Sequence, residues 1–435
     1  MSAPDARELL REDSRYFLHQ AQSTPCLNAV RRLEGIYLED AAGRRYMDFH
    51  GNNVHHIGYS HPRLIAALKT QLDELSFSPR RYTNRVAVDL ARAMAELTGG
   101  ALPKCLFAPS GSDAVEIALK LARGVTGRHR TVSFFGSFHG AGFGAAAVSG
   151  DAVFRDPRLG PLAPGALFVP PPYPYRSEYG SSDPDECARG CVSAIRTALG
   201  QAGDPAALIA CPVRPSEYVP PAWFWKDVKE ACREAGALLI FDEIPYGLGK
   251  TGRMFGFQHY GVEPDILVTG KALGGSVMPI ACVSAREDLD LLGDLEIGHY
   301  THEKNPLSAA AALATLGIIR EEGLVDRAAG LGAAALQMAV ELQGRHRLVG
   351  DVRGLGLVMG LELVSDPLTR APALVETERV FQRALELGLS MKTTGSILAL
   401  SPPLVITRQE LERAFDVIDQ CLAEVEARGS GRGAG

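Results

Sequence analysis

Three observations predict an α/β fold built on a mostly parallel sheet with helices on both faces. Short, predominantly apolar runs stand at 105–107, 131–135, 208–213, 238–241 and 266–269. Runs of that length and character read as strands buried on both faces. Helical patterns occupy 112–123 and 222–235, between successive runs, and strands alternating with helices make crossover units. The chain has 435 residues, 46% of them hydrophobic and 22% charged, which suits a soluble globular protein with a large core and room for a second, smaller α+β domain.

In chain order, the first 30 residues read as an arm with some helix. Residues 35–38 and 46–49 flank the turn-rich 40–45 and predict a hairpin. Helices are expected at 62–75 and 85–97. Within 112–123, Asp113, Glu116, Lys120 and Arg123 share one stripe, while Ala114, Val115, Ala118, Leu121 and Ala122 fill the other side. Residues 151–190 are rich in Pro, Gly and Ser, and Pro170, Pro171 and Pro172 exclude regular helix there. They read as one long loop, a kind that is often functional. Asn305 and Pro306 open a long helix. The last helix starts from a capping box of Thr407 and Glu410 and shows an apolar face of Leu411, Ala414, Phe415, Ile418, Leu422 and Val425. This gives an arm and part of a small domain over 1–60, a large domain over 61–320, the rest of the small domain over 321–428, and a disordered tail at 429–435.

Bulk properties exclude several functions. The net charge is −6 without a long basic run, which argues against nucleic-acid binding driven by counterion release. No stretch approaches 18 uninterrupted apolar residues, so no membrane span is expected. The N-terminus is charged and lacks an apolar core, so no secretory signal is expected. Eight cysteines are scattered; the closest pair, Cys187 and Cys191, has no CxxC spacing, and no histidine cluster completes a metal set. Free thiols in a reducing cytoplasm, and no metal, are the expectation.

Five local features carry chemistry. Asp242 ends one apolar run, where a carboxylate needs a partner. Lys271 follows another, flanked by Gly270, Gly274 and Gly275, which let backbone and a bulky ligand approach closely. Ala108-Pro109-Ser110-Gly111-Ser112 lies between a strand and a helix start, where free N–H groups and partial positive charge suit a phosphate. Phe138, His139 and Gly140 follow the 131–135 run, where an aromatic could stack on a flat ring. Thr301 could donate to the same phosphate from a neighbouring subunit. A lysine and a carboxylate at two strand ends suit pyridoxal 5'-phosphate (PLP): the lysine forms the Schiff base and the acid keeps the pyridine nitrogen protonated. Each feature alone has a bland reading, a surface lysine or a Ser-capped turn; their agreement is the argument.

The segments SGSDAVEIALKLAR, SFHG, LLIFDEIPYGLGKTGRMFGF, PDILVTGKALGG, NPLSAAAALATL, VRGLGLVMGLELV and LSPPLVIT together resemble class III PLP-dependent aminotransferases of fold type I, from about residue 30 to 425. The resemblance implies a large PLP domain, a small domain made from both chain ends, and a homodimer, or a tetramer built from it, with active sites at the interface. It implies that Gly111 and Ser112 bind the phosphate and that Phe138 stacks on the ring, with His139 beside it. Ile244 would pack on the other face, Asp242 would pair with the pyridine nitrogen, Lys271 would carry the Schiff base, and Thr301 would reach in from the partner subunit.

Departures from that pattern bear on the reaction. Pro245 stands where the family usually has a glutamine, Cys211 where it has a glutamate, and Ala399 where many members hold a substrate carboxylate with an arginine fork. HGNNVHHIGY (50–59) and SPRRYTNR (78–85) are polar and basic, and Arg80 and Arg81 could clamp a phosphonate. GHYTHEKNP would put His299 and His302 near the cofactor. With SFHGAGFG these segments are similar to a lyase branch of the family, the (R)-1-hydroxy-2-aminoethylphosphonate ammonia-lyases. That resemblance implies loss of water and then ammonia, giving phosphonoacetaldehyde. An ω-aminotransferase for amines lacking an α-carboxylate, a phospho-lyase of the ethanolamine-phosphate type, and an inactive scaffold on the same fold are the rival readings.

Overall fold

The computed structural model describes residues 6–21 and 26–430. The hairpin expected near the N-terminus is present as β2 (Tyr37–Asp40) and β3 (Arg45–Asp48), and a further strand, β1 (Val30–Glu34), extends it to an antiparallel meander. The Asp40 carboxylate closes its turn by accepting from the N–H groups of Ala42 and Arg44, both at 2.9 Å.

The large sheet contains β4 (Lys104–Ala108), β5 (Arg130–Phe134), β6 (Ala166–Val169), β7 (Pro205–Ala210), β8 (Leu238–Asp242), β9 (Ile266–Thr269) and β10 (Ala281–Ala285). Their spatial order is β4-β10-β9-β8-β7-β5-β6. Strands β5 to β9 pair in parallel. Only β10 runs against its neighbours, β4 and β9. Every residue of β7 and β9 is buried, as expected of strands covered on both faces. The helix Gly111–Thr126 begins at Ser110, whose side chain accepts from the Asp113 N–H, and ends at Gly127 in the left-handed region. Its buried side is broader than the sequence stripe, because Ile117 and Leu119 are covered as well.

The third sheet takes β11 (Val349–Leu355), β12 (Val358–Asp366), β13 (Ala371–Pro372), β15 (Lys392–Thr394) and β16 (Ile397–Leu400), in the order β11-β12-β16-β15 with β13 against β12. Between β13 and β15, β14 (Leu389–Ser390) pairs in parallel with β3, so the first and last parts of the chain share a sheet.

Four expectations need correction. Residues 151–190 are not one structureless loop: β6 lies inside them at the sheet edge, where flanking prolines are tolerated. Pro184 then opens the helix Pro184–Ala202, capped by Asp183. Strand β10 was not anticipated, since Ala281–Ala285 is short and mixes Cys and Ser into its apolar residues. Strand β7 starts at Pro205 and stops at Ala210, so Cys211, Pro212 and Val213 lie beyond its end. The capping box is present: Thr407 N–H donates to Glu410 Oε2 at 2.9 Å and Glu410 N–H to Thr407 Oγ1 at 3.2 Å. The helix Arg408–Ser430 runs two residues into the expected tail, and 431–435 lie outside the described residues. Among the described residues no helix is long and apolar enough to cross a membrane.

Candidate active site

Adjacent parallel strands deliver the acid and the amine to one edge of the large sheet. Strand β8 ends at Asp242, and β9 leads through Gly270 into Lys271. Ligand sites of open α/β sheets lie at this carboxyl edge.

Asp242 is 2% exposed, yet it does not wait for a ring to satisfy it. His139 Nδ1–H donates to its Oδ2 at 2.7 Å, and the Ile244 N–H donates to its Oδ1 at 3.0 Å. The Ile244 bond is the loop cap that a strand-end acid can form, while the His139 partner is not legible in the sequence. His139 is held in turn through its backbone N–H, which donates to Ser149 Oγ at 2.8 Å. Two bonds fix the carboxylate plane and still leave lone pairs free to accept from a ring N–H⁺.

Lys271 opens a short 3-10 turn with φ +45°, a conformation that costs a non-glycine residue about 1–3 kcal/mol. Its ammonium makes no hydrogen bond or ion pair with any described residue. Burial holds its pKa below the ordinary lysine value; Asp242 and Cys211 oppose the shift and Lys392 adds to it. A lysine held toward its neutral form is a nucleophile and a base.

Ile244 sits between the two loops. A Cβ on Gly111 would come within 2.8 Å of Ile244 Cδ1, and one on Gly270 within 3.4 Å of Ile244 Cγ2. The closer approach is at Gly111, where a side chain would force Ile244 to move; at Gly270 the contact would be ordinary. Gly111 and Ser112 begin a 16-residue helix, so their N–H groups lack intrahelical acceptors. Ser112 Oγ accepts from the Ala141 N–H at 3.0 Å. A Cβ on Gly140, at φ +140°, would stand 2.7 Å from Ser112 Oγ. Phe138 is 39% exposed with its ring 4.4 Å from that of Phe154. An unpartnered lysine, an oriented carboxylate and a glycine-lined helix start fit PLP.

The remaining expected residues gather elsewhere. Thr301 is on an exposed turn. Glu296, just before it, lies 3.2 Å from His299 and 3.9 Å from Arg80. Arg81 is exposed, and Asn84 Nδ2 donates to the Lys304 carbonyl at 2.9 Å. His302 stacks edge-on to Phe77. No hydrogen bond or ion pair among the described residues joins these residues to Lys271 or Asp242, although Tyr300, next to Thr301, lies against Asp113 at the start of the helix Gly111–Thr126.

Cys211 lies beside the acid. Donor atoms of His139, Cys211 and Asp242 fall within 4.8 Å of one another, a grouping no sequence spacing reveals. It offers a metal little, because the facing atoms of His139 and Asp242 bond each other. Burial, with Asp242 nearby, pushes the thiol well up, so Cys211 is neutral. Three further groups, Glu243, Lys250 and Lys392, escaped sequence reasoning. Glu243 is buried and pushed up to about 7 by burial, although it accepts from the N–H groups of Gly256 at 2.6 Å and Phe257 at 2.8 Å. Lys250 is 0% exposed and donates to the Pro402 carbonyl at 2.6 Å. His50, from the segment 50–59 singled out in the sequence, lies near enough to Lys392 for that charge to lower its pKa. Lys392 had a readable signal: counting outward from Gly395 and Ser396 sets it opposite Ala399.

The profile described as Aminotransferase class-III matches residues 18–422. The chain is 40% identical to the (R)-1-hydroxy-2-aminoethylphosphonate ammonia-lyase of Vibrio splendidus (strain 12B01), over 96% of this chain and 90% of that protein. It is 32% identical to the isoleucine 2-epimerase of Lentilactobacillus buchneri, over 97% and 95%. Among solved structures, a PLP-bound amine transaminase from an uncultivated Pseudomonas species superposes with a TM-score of 0.88 at 32% identity, covering 94% of this chain and 99% of that one.

Proposed function

The chain belongs to the class III aminotransferase family, fold type I PLP enzymes, and we propose that within it this protein is an ammonia-lyase converting (R)-1-hydroxy-2-aminoethylphosphonate to phosphonoacetaldehyde. The observation that carries the reading is the 40% identity to the Vibrio splendidus lyase along 96% of the chain, against 32% for the epimerase. Ala399 and Pro245 support it, since neither can make the contacts that an arginine or glutamine would make there.

Bound PLP supplies an electron sink for the pair left when a C–H bond next to nitrogen breaks. Asp242, fixed by His139 and the Ile244 N–H, holds the proton on the ring nitrogen. Gly111 and Ser112 hold the phosphate, and Ile244 and Phe138 cover the two ring faces. Lys271, with its amine free, would take the proton from the carbon bearing nitrogen. The hydroxyl on the neighbouring carbon leaves as water, with a proton returned from Lys271. The released enamine tautomerises to an imine, and water hydrolyses it to the aldehyde and ammonia. One water leaves and one enters, so no oxo acid is consumed. Thr301 completes the phosphate site from the partner subunit of a homodimer. Any phosphonate contact that Arg80 or Arg81 makes also crosses the dimer.

The test is ammonia release from this substrate by the PLP-loaded protein without any oxo acid. Stoichiometric ammonia and aldehyde are expected. Product appearing only when pyruvate is added overturns the reading in favour of an aminotransferase. Release of inorganic phosphate from ethanolamine phosphate, without ammonia from the phosphonate, overturns it in favour of a phospho-lyase.

A further inference from the structure

One row of residues crosses the third sheet from edge to edge. Arg353 pairs with Gly360, Gly360 with Ala399, and Ala399 with Lys392. Directly opposed residues point to the same face. Gly360 identifies that face, because a Cβ there would lie 2.7 Å from the Pro215 carbonyl and 3.2 Å from Ser216 Cα. Arg353 agrees, donating to the Pro215 carbonyl at 3.3 Å and the Ser216 carbonyl at 2.9 Å. The row thus faces the turn that follows β7 and carries Cys211 and Arg214 at the carboxyl edge of the large sheet.

The two cations ending this row differ. Arg353 is fully engaged, by Asp351, by Glu362 at 2.8 Å and by the two carbonyls. Arg214 is likewise engaged, by Glu217 at 3.1 Å and the Gly136 carbonyl. Lys392 makes no hydrogen bond or ion pair with any described residue, and it stands beside the smallest side chain in the row. The backbone brings it to the cleft. Phe49 donates to the Ser390 carbonyl and accepts from the Ser401 N–H, both at 2.8 Å, which sets His50 beside the strand of Lys392. Gly51–Asn53 then packs on Lys271–Gly274. The electrostatics agree with this placement. Lys392 is exposed at the strand edge, yet partial desolvation and then Arg214 hold its ammonium below its ordinary value, opposed by Asp151. Burial, Lys392 and Lys271 lower His50, opposed by Asp48. Basic groups that lower one another's pKa in this way form a site short of negative charge.

We propose that Lys392, with His50 beside it, anchors the phosphonate dianion of the substrate from within the same subunit. Ala399 leaves the room, and Lys392 supplies a point charge from the next strand in place of a planar fork, which favours a tetrahedral dianion over a carboxylate. The inference rests on the aminoalkylphosphonate reading, and equilibrium binding tests it apart from turnover.

Ethylphosphonate has the anion and no amine, so it binds without reacting. Titrated calorimetrically into PLP-loaded protein, it is expected to bind saturably and more tightly than propionate. Lys392→Gln is expected to weaken it by about 10–100-fold, the value of one charge-assisted bond, and Lys392→Arg to restore most of the affinity. With the substrate itself, Lys392→Gln should raise KM by a similar factor and leave kcat within about threefold. An unchanged visible cofactor band in Lys392→Gln shows that the site is still assembled; if the band is lost, the comparison of wild type with Lys392→Arg decides. The proposal is overturned if wild type does not bind ethylphosphonate, if Lys392→Gln binds it as wild type does, or if propionate binds equally well. Lys392-dependent binding without ammonia release leaves the anion site standing and sinks the lyase reading; ammonia release with unchanged binding and KM in Lys392→Gln does the reverse.

Discussion

Lys250 and Lys271 stand in consecutive turns at the edge of the same sheet, and burial depresses both amines. Their surroundings differ. Lys250 donates to the carbonyls of Pro402 at 2.6 Å and Ser401 at 3.4 Å. It lies at a seam where Ser401 N–H meets the Phe49 carbonyl, Leu404 N–H meets the His56 carbonyl, and His56 Nε2 meets the Gly247 carbonyl. Lys271 has no such partner and feels the charge of the oriented Asp242 carboxylate. A depressed lysine is thus not by itself a reactive one. What separates the two is whether the nitrogen's donors are already used.

The sharpest way to break this comparison is to remove each amine in turn. Lys271→Ala is expected to lower ammonia release by at least about 10³-fold and to abolish the visible band of the lysine-bound cofactor, while the melting temperature of the cofactor-free protein hardly moves. Lys250→Ala is expected to do the opposite. It leaves a cavity and two carbonyls without a donor, a loss of about 2–4 kcal/mol of stability, while the loaded protein keeps its band and most of its turnover. If Lys250→Ala also lost the band with the fold intact, the distinction drawn here would fail. A smaller effect is expected at His139. His139→Ala frees the Asp242 carboxylate to rotate, and activity should fall about 10–100-fold, as when the hydrogen-bonding support of a ligand group is lost. PLP affinity measured by equilibrium dialysis should fall in parallel, because Asp242 would hold the ring less well; unchanged affinity would show that His139 does not act through Asp242.

The same contrast explains what the sequence made legible. Asp242 and Lys271 could be read because each ends an apolar run, so their position depends only on where β8 and β9 stop. Gly111 and Ser112 could be read from a local strand-to-helix pattern. The support around them could not. His139 meets Asp242 across 103 residues, a contact set by the order β8-β7-β5 in the sheet, which no local pattern encodes. Strand β6 was hidden because a four-residue edge strand between prolines has no period to detect. Arg80 and Arg81 stand out by composition, yet charge content does not say which subunit's site a loop serves; only the family resemblance assigns Thr301 to the partner subunit. Lys392 shows the intermediate case: its hairpin register was countable, but the face it presents was fixed only by the turn packed on Gly360.

The mildest test concerns pH, and its sign separates two buried groups. Burial lowers Lys250 from 10.5 to about 7. Between those values the unfolded chain holds a proton that the folded chain has released, so stability should rise with pH from about 7 toward 10.5 and be lost again as pH falls to 7. Glu243 is raised from 4.5 to about 7, so its contribution is complete below 4.5 and lost as pH climbs to 7. The two windows meet near neutrality without overlapping. Each slope is at most about 1.4 kcal/mol per pH unit. Denaturant unfolding at a series of pH values should therefore show the upper slope reduced in Lys250→Met and the lower slope reduced in Glu243→Gln. Lys271 and Lys392 contribute equally to wild type and to both variants, so the difference isolates the mutated group. A Lys250→Met protein that kept the wild-type slope above pH 7 would mean that the seam lysine stays charged in the fold, and that its two carbonyls stabilise an ammonium as well as water does.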